Sequence, residues 1–284
     1  MLLYEGTDSF LEEVIDFKKA KYVILPVPMD ITTTYLKGTK FGPRSVIEAS
    51  RSLENYDSEM DFEVRNVAFT AGELEIPPEP SKAIEIVRKT VSDVLIEGKF
   101  PILLGGEHTI TYGASLAFDG DVIFVIFDAH ADFKKDVLSS PINHASNARL
   151  ISKKNKAILI GIRSLSLEDK AELEKSKIQV VYSNDSLEPN AIGLKSALTG
   201  KKVYISIDMD VFDPAFAPGV GTPQPGGLSY STVKKILETI VASAELVGFD
   251  VTETRPIADN NITEILAAKL VIDIIALNEK KKKS

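Results

Sequence analysis

The stretch Val122-Ile123-Phe124-Val125-Ile126-Phe127-Asp128-Ala129-His130-Ala131-Asp132 joins an unbroken apolar run to a string of carboxylate and imidazole groups separated only by alanine. A half-exposed strand alternates apolar and polar residues; a run with no polar interruption reads as a central strand covered on both faces. Similar short runs recur along the chain. Tyr22–Val27, Pro101–Leu104, Ala157–Ile162, Ile178–Tyr182, Val203–Ile207 and Leu246–Val251 complete a set of seven, and Val67–Thr70 is a weaker eighth. Amphipathic helices lie between them. Lys82–Glu97 places Ile84, Val87, Val91, Val94 and Leu95 on one face, and Gly98 stops it. Thr232–Val241, with Ser231 as its expected N-cap, and Ile262–Leu277 repeat the pattern. Strands alternating with helices predict a mostly parallel α/β sheet of about eight strands with helices on both faces. No internal repeat or low-complexity linker divides the 284 residues, so a single domain over 1–284 is expected.

Composition excludes several functions. The chain has no Cys, which removes disulfides, thiolate zinc sites, iron–sulfur clusters and cysteine nucleophiles. A net charge of −8 without an internal basic block argues against nucleic acid as a partner. No apolar window is long enough to cross a membrane, and Met1–Phe10 lacks the basic flank and apolar run of a secretory signal, which makes cytoplasm the expected compartment. The terminal run Lys280–Lys283 reads as a solvated end. Only three histidines occur, His108, His130 and His144, which gives each of them weight.

Ligands of parallel sheets bind outside the carboxyl ends of the strands, so chemistry is sought just after each apolar run. Three strand ends stand out. One ends in Gly105-Gly106-Glu107-His108; another continues into Asp128-Ala129-His130-Ala131-Asp132; a third continues into Asp208-Met209-Asp210, followed by Asp213-Pro214. In extended backbone, residues i, i+2 and i+4 point to one side, so Asp128, His130 and Asp132 are expected to project together, as are Asp208 and Asp210. A lone Asp-x-Asp after a strand is ordinarily a turn or cap. Both clusters on one sheet edge would gather four carboxylates, which repel one another unless a cation compensates. Lys134 and Lys135 lie beyond the strand end and offset only part of that charge. Hard oxygen donors with a minority of imidazole suit Mn²⁺ or Mg²⁺. Six donors exceed what one catalytic ion takes, and two ions sharing carboxylates fit the count.

These segments, together with Ser206-Ile207-Asp208-Met209-Asp210-Val211-Phe212-Asp213-Pro214, the run Ala217–Leu228 and the early stretch from Val27 to Arg44, resemble the ureohydrolase (arginase–agmatinase) family over roughly residues 20–277. The resemblance implies a three-layer α/β/α arginase-like fold, two Mn²⁺ ions per chain, hydrolysis of a guanidino group to urea and an amine, and trimers or hexamers. It implies as metal ligands the same six residues that the spacing picks out: His108, Asp128, His130, Asp132, Asp208 and Asp210. The segment Thr32–Arg44 and the step His144-Ala145 look more like bacterial and archaeal agmatinase-type sequences than like arginases. That implies agmatine as the small-molecule guanidino substrate, cleaved to urea and putrescine in polyamine biosynthesis.

Other residues fall in place around this set. His144 lies in a loop, where a lone histidine is ordinarily a surface residue; its chemistry nevertheless suits delivery of a proton to a leaving amine. The family places a proton-shuttling, substrate-contacting histidine there. Glu253, just past Leu246–Val251, is positioned like the family's guanidinium-binding glutamate, and a carboxylate suits that task through paired hydrogen bonds. Asp132 or a partner carboxylate is expected to orient the attacking hydroxide. Thr222 is expected to donate to substrate or to Glu253, or else to serve only its turn; Asp213 reads as loop support. Arg255 replaces the small polar residue usual before Pro256, and is expected either to pair with Glu253 or to turn outward. The competing readings are arginase, guanidinobutyrase or formiminoglutamase activity, a non-catalytic guanidino- or polyamine-binding protein of the same fold, and a zinc deacetylase of related fold.

Overall fold

The computed structural model describes residues 6–118, 120–137, 140–185, 187 and 192–283. Met1–Glu5, where the reading of the N-terminal segment begins, and Ser284 lie outside the described residues. The strands are β1 (Tyr22–Val27), β2 (Tyr56–Asp57), β3 (Phe62–Glu63), β4 (Ala68–Thr70), β5 (Phe100–Gly105), β6 (Val122–Phe127), β7 (Lys156–Ile162), β8 (Gln179–Tyr182), β9 (Lys202–Asp208) and β10 (Glu245–Thr252). The helices are α1 (Gly42–Ser50), α2 (Pro80–Ile96), α3 (Thr109–Ser115), α4 (Asn147–Ser152), α5 (Leu167–Lys175), α6 (Leu194–Leu198), α7 (Tyr230–Ser243) and α8 (Ile262–Lys283).

Eight strands form one sheet in the order β4-β1-β5-β10-β9-β6-β7-β8, and every pairing in it is parallel. The remaining two, β2 and β3, make a small antiparallel pair. Alternate residues of β6 feed two separate cores. Ile123, Val125 and Phe127 pack on one side with α1, α6, α7 and α8; Val122, Phe124 and Ile126 pack on the other with α2, α3, α4 and α5. That double burial is why the run carries no polar residue, and it makes the molecule a three-layer α/β/α structure, as expected.

Three local expectations are corrected. Helix α7 starts two residues earlier than the periodicity suggests, and its N-cap is Ser229, not Ser231. The Ser229 hydroxyl accepts from Thr232 N at 3.2 Å, and the Tyr230 hydroxyl anchors the first turn by donating to Asp273 at 2.6 Å. Helix α2 begins at Pro80, whose fixed φ suits a first helical position. The C-terminal lysines are not simply a solvated end, because α8 runs through them. Lys280 Nζ donates to Met60 O at 2.8 Å, Lys281 Nζ to Ala244 O, and Lys282 lies over the Tyr22 ring.

The β2–β3 pair is tied to the helical layer by charge. Buried Asp57 accepts from Lys269 Nζ at 2.9 Å, and Lys269 also holds Asp273 at 2.6 Å. Burial pushes the Asp57 carboxyl upward, but the hydrogen bond from Lys269 and the neighbouring lysine charges outweigh it, so the group sits at about 2. Because the folded value lies below the unfolded one, the stabilisation is fully present above about pH 4 and disappears as pH falls through about 2. Replacing Asp57 with Asn is expected to cost about 2 kcal/mol at neutral pH. The difference from the unsubstituted chain should shrink toward pH 2 in urea denaturation followed by circular dichroism.

Candidate metal centre

Four neighbouring strands, β5, β10, β9 and β6, bring their carboxyl ends side by side. Phe127 is level with Ile207 in the β6–β9 pairing, and Ile207 with Val251 in the β9–β10 pairing. The next residues of each strand therefore converge, and three expected clusters plus Glu253 fall on a single edge. Close packing of the connecting loops makes this possible. A side chain at Gly106 would put its Cβ 1.9 Å from the Met29 carbonyl oxygen, so only glycine lets the β5 end pass the loop after β1.

The expected donors form two groups whose ligand atoms lie within 4.8 Å of one another: His108, Asp128 and Asp208, and Asp128, His130 and Asp210. Asp128 belongs to both. His108 Nδ1 faces Asp128 Oδ2 at 3.2 Å, Asp132 Oδ2 at 3.3 Å and Asp208 Oδ2 at 3.4 Å. His130 Nδ1 faces Asp210 Oδ2 at 2.8 Å and Asp128 Oδ1 at 3.6 Å.

The route to this convergence is not the extended backbone that the i, i+2 spacing suggests. Strand β6 stops at Phe127, and Asp132 adopts a left-handed φ of 47°. Asp208 closes β9, and Asp210 lies in a 3₁₀ turn, Met209–Val211. The carboxylates are aimed by backbone N–H groups instead. Asp128 Oδ1 accepts from His130 N at 2.6 Å, Asp208 Oδ1 from Asp210 N at 2.8 Å, and Asp210 Oδ1 from Ala129 N at 3.0 Å. Each is held by one oxygen while the other faces the centre.

Charge in the centre is unbalanced without a cation. Burial, reinforced by the charges of Asp210 and Asp128, drives Asp208 well above the carboxylate range; burial and Asp128 push Asp132 up to about 6. Burial would lower His130, but the Asp210 and Asp128 carboxylates outweigh it and raise it to about 11; His108 is likewise held well above the imidazole range. All four shifts favour added positive charge at this point, the place that a cation would take. His108 Nδ1 is also buried with no hydrogen-bond partner of acceptable geometry. An orphaned nitrogen pointed at three carboxylate oxygens, within a set dominated by hard oxygen donors, fits divalent metal ions. Lys135 pairs with Glu172 at 3.8 Å, and among the described residues no salt bridge joins Lys134 or Lys135 to the Asp cluster.

A cavity of about 440 Å³ opens over the centre, lined by His108, His130, Asp132, Asp208 and Asp210 and also by His144, Glu253, Thr222, Thr34 and Lys134. Glu253 is buried at a left-handed φ of 62°; its backbone N–H donates to Gly106 O at 2.8 Å, and its Oε1 accepts from His108 N at 2.7 Å. Burial holds its carboxyl well above the usual range. Arg255 does not compete for it: Arg255 Nε donates to Lys37 O at 2.9 Å and the side chain lies over Gly38. Thr222 Oγ1 donates to Asp210 Oδ2 at 3.3 Å, not to Glu253. Asp213 accepts from Ala215, Gly226 and Gly227, shaping the loop as expected.

Two further residues were given no role by the motifs. Glu107, fully buried, accepts from Ile31 N and Thr32 N at 2.6 Å, from Thr32 Oγ1 at 2.7 Å and from Thr109 Oγ1 at 2.6 Å. Thr32 Oγ1 in turn receives His144 N at 3.0 Å, so Glu107 holds the loop against which His144 rests. Arg163 directs its guanidinium at the carbonyls of Gly161, Asp210, Val211, Phe212, Gln224 and Pro225, clasping the turn that carries Asp210. Glu107 sat inside a quoted motif and Arg163 directly follows a strand run, but Arg163 meets only backbone carbonyls and Glu107 meets two backbone N–H groups besides the Thr32 and Thr109 hydroxyls, and backbone partners leave no side-chain pattern to read. Glu107→Ala strands several buried donors and is expected to destabilise the fold by about 3 kcal/mol or more, measured by thermal or urea unfolding of metal-free protein.

Known proteins place this centre in a family. The chain matches the arginase family model over residues 20–276. It is 35% identical over 283 residues to an agmatinase of Pyrococcus horikoshii, covering 98% of this chain and 99% of that protein. It is also 35% identical to an N(1)-aminopropylagmatine ureohydrolase of Thermococcus kodakarensis, covering 91% of each. The crystal structure of an agmatine ureohydrolase of Thermoplasma volcanium aligns with a TM-score of 0.88 at 36% identity, covering 100% of this chain and 97% of that one. With its family motifs gathered on one sheet edge and relatives named as hydrolases over nearly its whole length, this chain belongs to the arginase family.

Proposed function

We propose that the protein is a binuclear manganese ureohydrolase that cleaves agmatine, or an agmatine bearing a longer amine tail, to urea and the corresponding amine. The observation that carries this reading is the pair of Asp/His groups sharing Asp128, set in one cavity with Glu253 and His144. His108, Asp128, Asp132 and Asp208 would hold one ion, and Asp128, His130 and Asp210 the other. A manganese pair bound there supplies Lewis-acid activation of a water at neutral pH.

The chain's own groups do the rest. Glu253 takes the guanidinium through its carboxylate, with Oε1 already pinned by His108 N so that the group keeps one orientation. Asp132 orients the nucleophile toward the guanidinium carbon. His144 transfers a proton to the leaving amine; its ring lies beside the Thr32 and Thr34 hydroxyls, with Nδ1 at 3.4 Å and Nε2 at 3.3 Å, which hold it within the cavity. Thr222 acts through Asp210 by its hydrogen bond. The longer-tailed alternative enters because N(1)-aminopropylagmatine is named for several relatives, as agmatine is for others.

Urea release in Mn²⁺ tests this reading with agmatine, N(1)-aminopropylagmatine, arginine, guanidinobutyrate and formiminoglutamate. Turnover of one of the first two well above the rest is expected, and no turnover of any above an Asp128→Asn control would refute it. His144→Asn is expected to lower kcat by about 10²–10⁴-fold with both ions retained. Glu253→Gln should reduce kcat/KM by at least about 100-fold. Total-metal analysis finding a single zinc ion per chain would instead support a deacetylase-like centre.

A further inference from the structure

Behind His108, on the side away from the carboxylates, runs a buried polar chain that the proposed chemistry does not use. His108 Nε2 lies 2.9 Å from Ser206 Oγ, and Ser206 Oγ lies 2.7 Å from Asp250 Oδ1. Thr111 Oγ1 also meets Ser206 Oγ, at 3.1 Å. Ser206 and Asp250 are register partners on the adjacent strands β9 and β10, and both are completely buried. Polar groups this deep in a parallel sheet are costly unless each is hydrogen-bonded, so an aligned line of them calls for a reason beyond packing.

Donor and acceptor arithmetic supplies one. A serine hydroxyl has a single proton, and a carboxylate only accepts. Ser206 therefore gives its proton to Asp250 and must accept from its other neighbours. With an ion in place of the second ring proton, the neutral His108 ring can satisfy it only with its remaining proton on Nε2. That leaves Nδ1 bare, and Nδ1 is the nitrogen that faces Asp128, Asp132 and Asp208 and lacks a partner of its own.

We propose that Ser206 and Asp250 are positioning residues that fix His108 as the Nε2–H tautomer and so present Nδ1 as a preformed donor to one of the two ions. The inference rests on the two-ion reading of the centre. It also makes the two ions unequal, since His130 has no corresponding serine–carboxylate chain among the described residues.

Ser206→Ala and Asp250→Asn test it, with Mn²⁺ as the probe. The unsubstituted chain titrated with Mn²⁺ and followed by electron paramagnetic resonance should develop the spectrum of an exchange-coupled pair. In both variants, affinity for one ion should fall roughly 10–100-fold while the other is kept. Over that interval the variants should show the six-line signal of an isolated ion where the parent shows the pair. Imidazole nitrogen NMR of the Mg²⁺-loaded protein, tractable with three histidines, should find the His108 proton on Nε2 in the parent and redistributed between the nitrogens in Asp250→Asn. Thermal unfolding without metal identifies a variant that has merely lost its fold, and Asp250→Glu, which keeps the carboxylate, should restore part of the selective affinity. Equal weakening of both ions, parent-like binding in both variants, or an unchanged His108 tautomer overturns the proposal. If the unsubstituted chain itself fails to bind a pair of ions, the reading of the centre fails, independently of the role of Ser206 and Asp250.

Discussion

Mutual repulsion among buried carboxylates is the constraint around which this molecule is organised. Asp128, Asp132, Asp208, Asp210 and Glu253 come together on one sheet edge, all buried. Such a gathering survives in a fold only if something positive sits inside it, and the upward push on Asp208, Asp132 and both imidazoles expresses that demand for positive charge. A divalent cation would meet it with two charges on one centre that several carboxylates can share. The backbone is arranged for that: one oxygen of Asp128, Asp208 and Asp210 is already spent on an N–H group, so binding an ion need not reorient them.

The rest of the fold serves to hold that edge rigid. Parallel strands β5, β10, β9 and β6 bury both faces, so their ends cannot splay without opening two cores at once. Two devices then stiffen the loops. Glu107 ties the segment after β1 to the β5 end, and Arg163 gathers the carbonyls of the turn carrying Asp210. Glu107 with a buried charge and Arg163 with a half-buried one satisfy backbone groups that a tight, irregular loop leaves without partners. Two other strand ends are irregular in their own right: Asp132 and Glu253 adopt a left-handed backbone, and both side chains line the cavity.

Reading the sequence went far where periodicity or a repeated residue type carried the signal. The strand runs Tyr22–Val27 and Val122–Phe127 coincide with β1 and β6 to the residue, and the other runs recover their strands within a residue or two at the ends. Helices α2, α7 and α8 are found from their apolar faces, whereas α3, α4 and α6 are short and α5 is largely exposed, so no clear stripe marks them. The donor cluster was legible because His and Asp after apolar runs are conspicuous. The geometry that unites them was not, since alternation in an extended chain and a left-handed turn both bring i and i+2 residues together and one sequence is compatible with either. Arg255 shows the same limit: its partner is the carbonyl of Lys37, 218 positions away, and nothing in the side-chain pattern points there.

The polar line from His108 to Asp250 shows how such a centre can be specified from behind. Asp250-Val251-Thr252-Glu253 spans the end of β10, and the chain places the buried Asp250 against Ser206 while Glu253, just past the strand, reaches the cavity. On the proposed reading, one strand thereby supplies both a group for the guanidinium and a support for the ring that would meet the ion. A shift of that strand by one residue would turn Asp250 to the opposite face and break the line, so register and ring orientation are coupled. The sheet's pairing thus fixes the chemistry of the centre as well as its place.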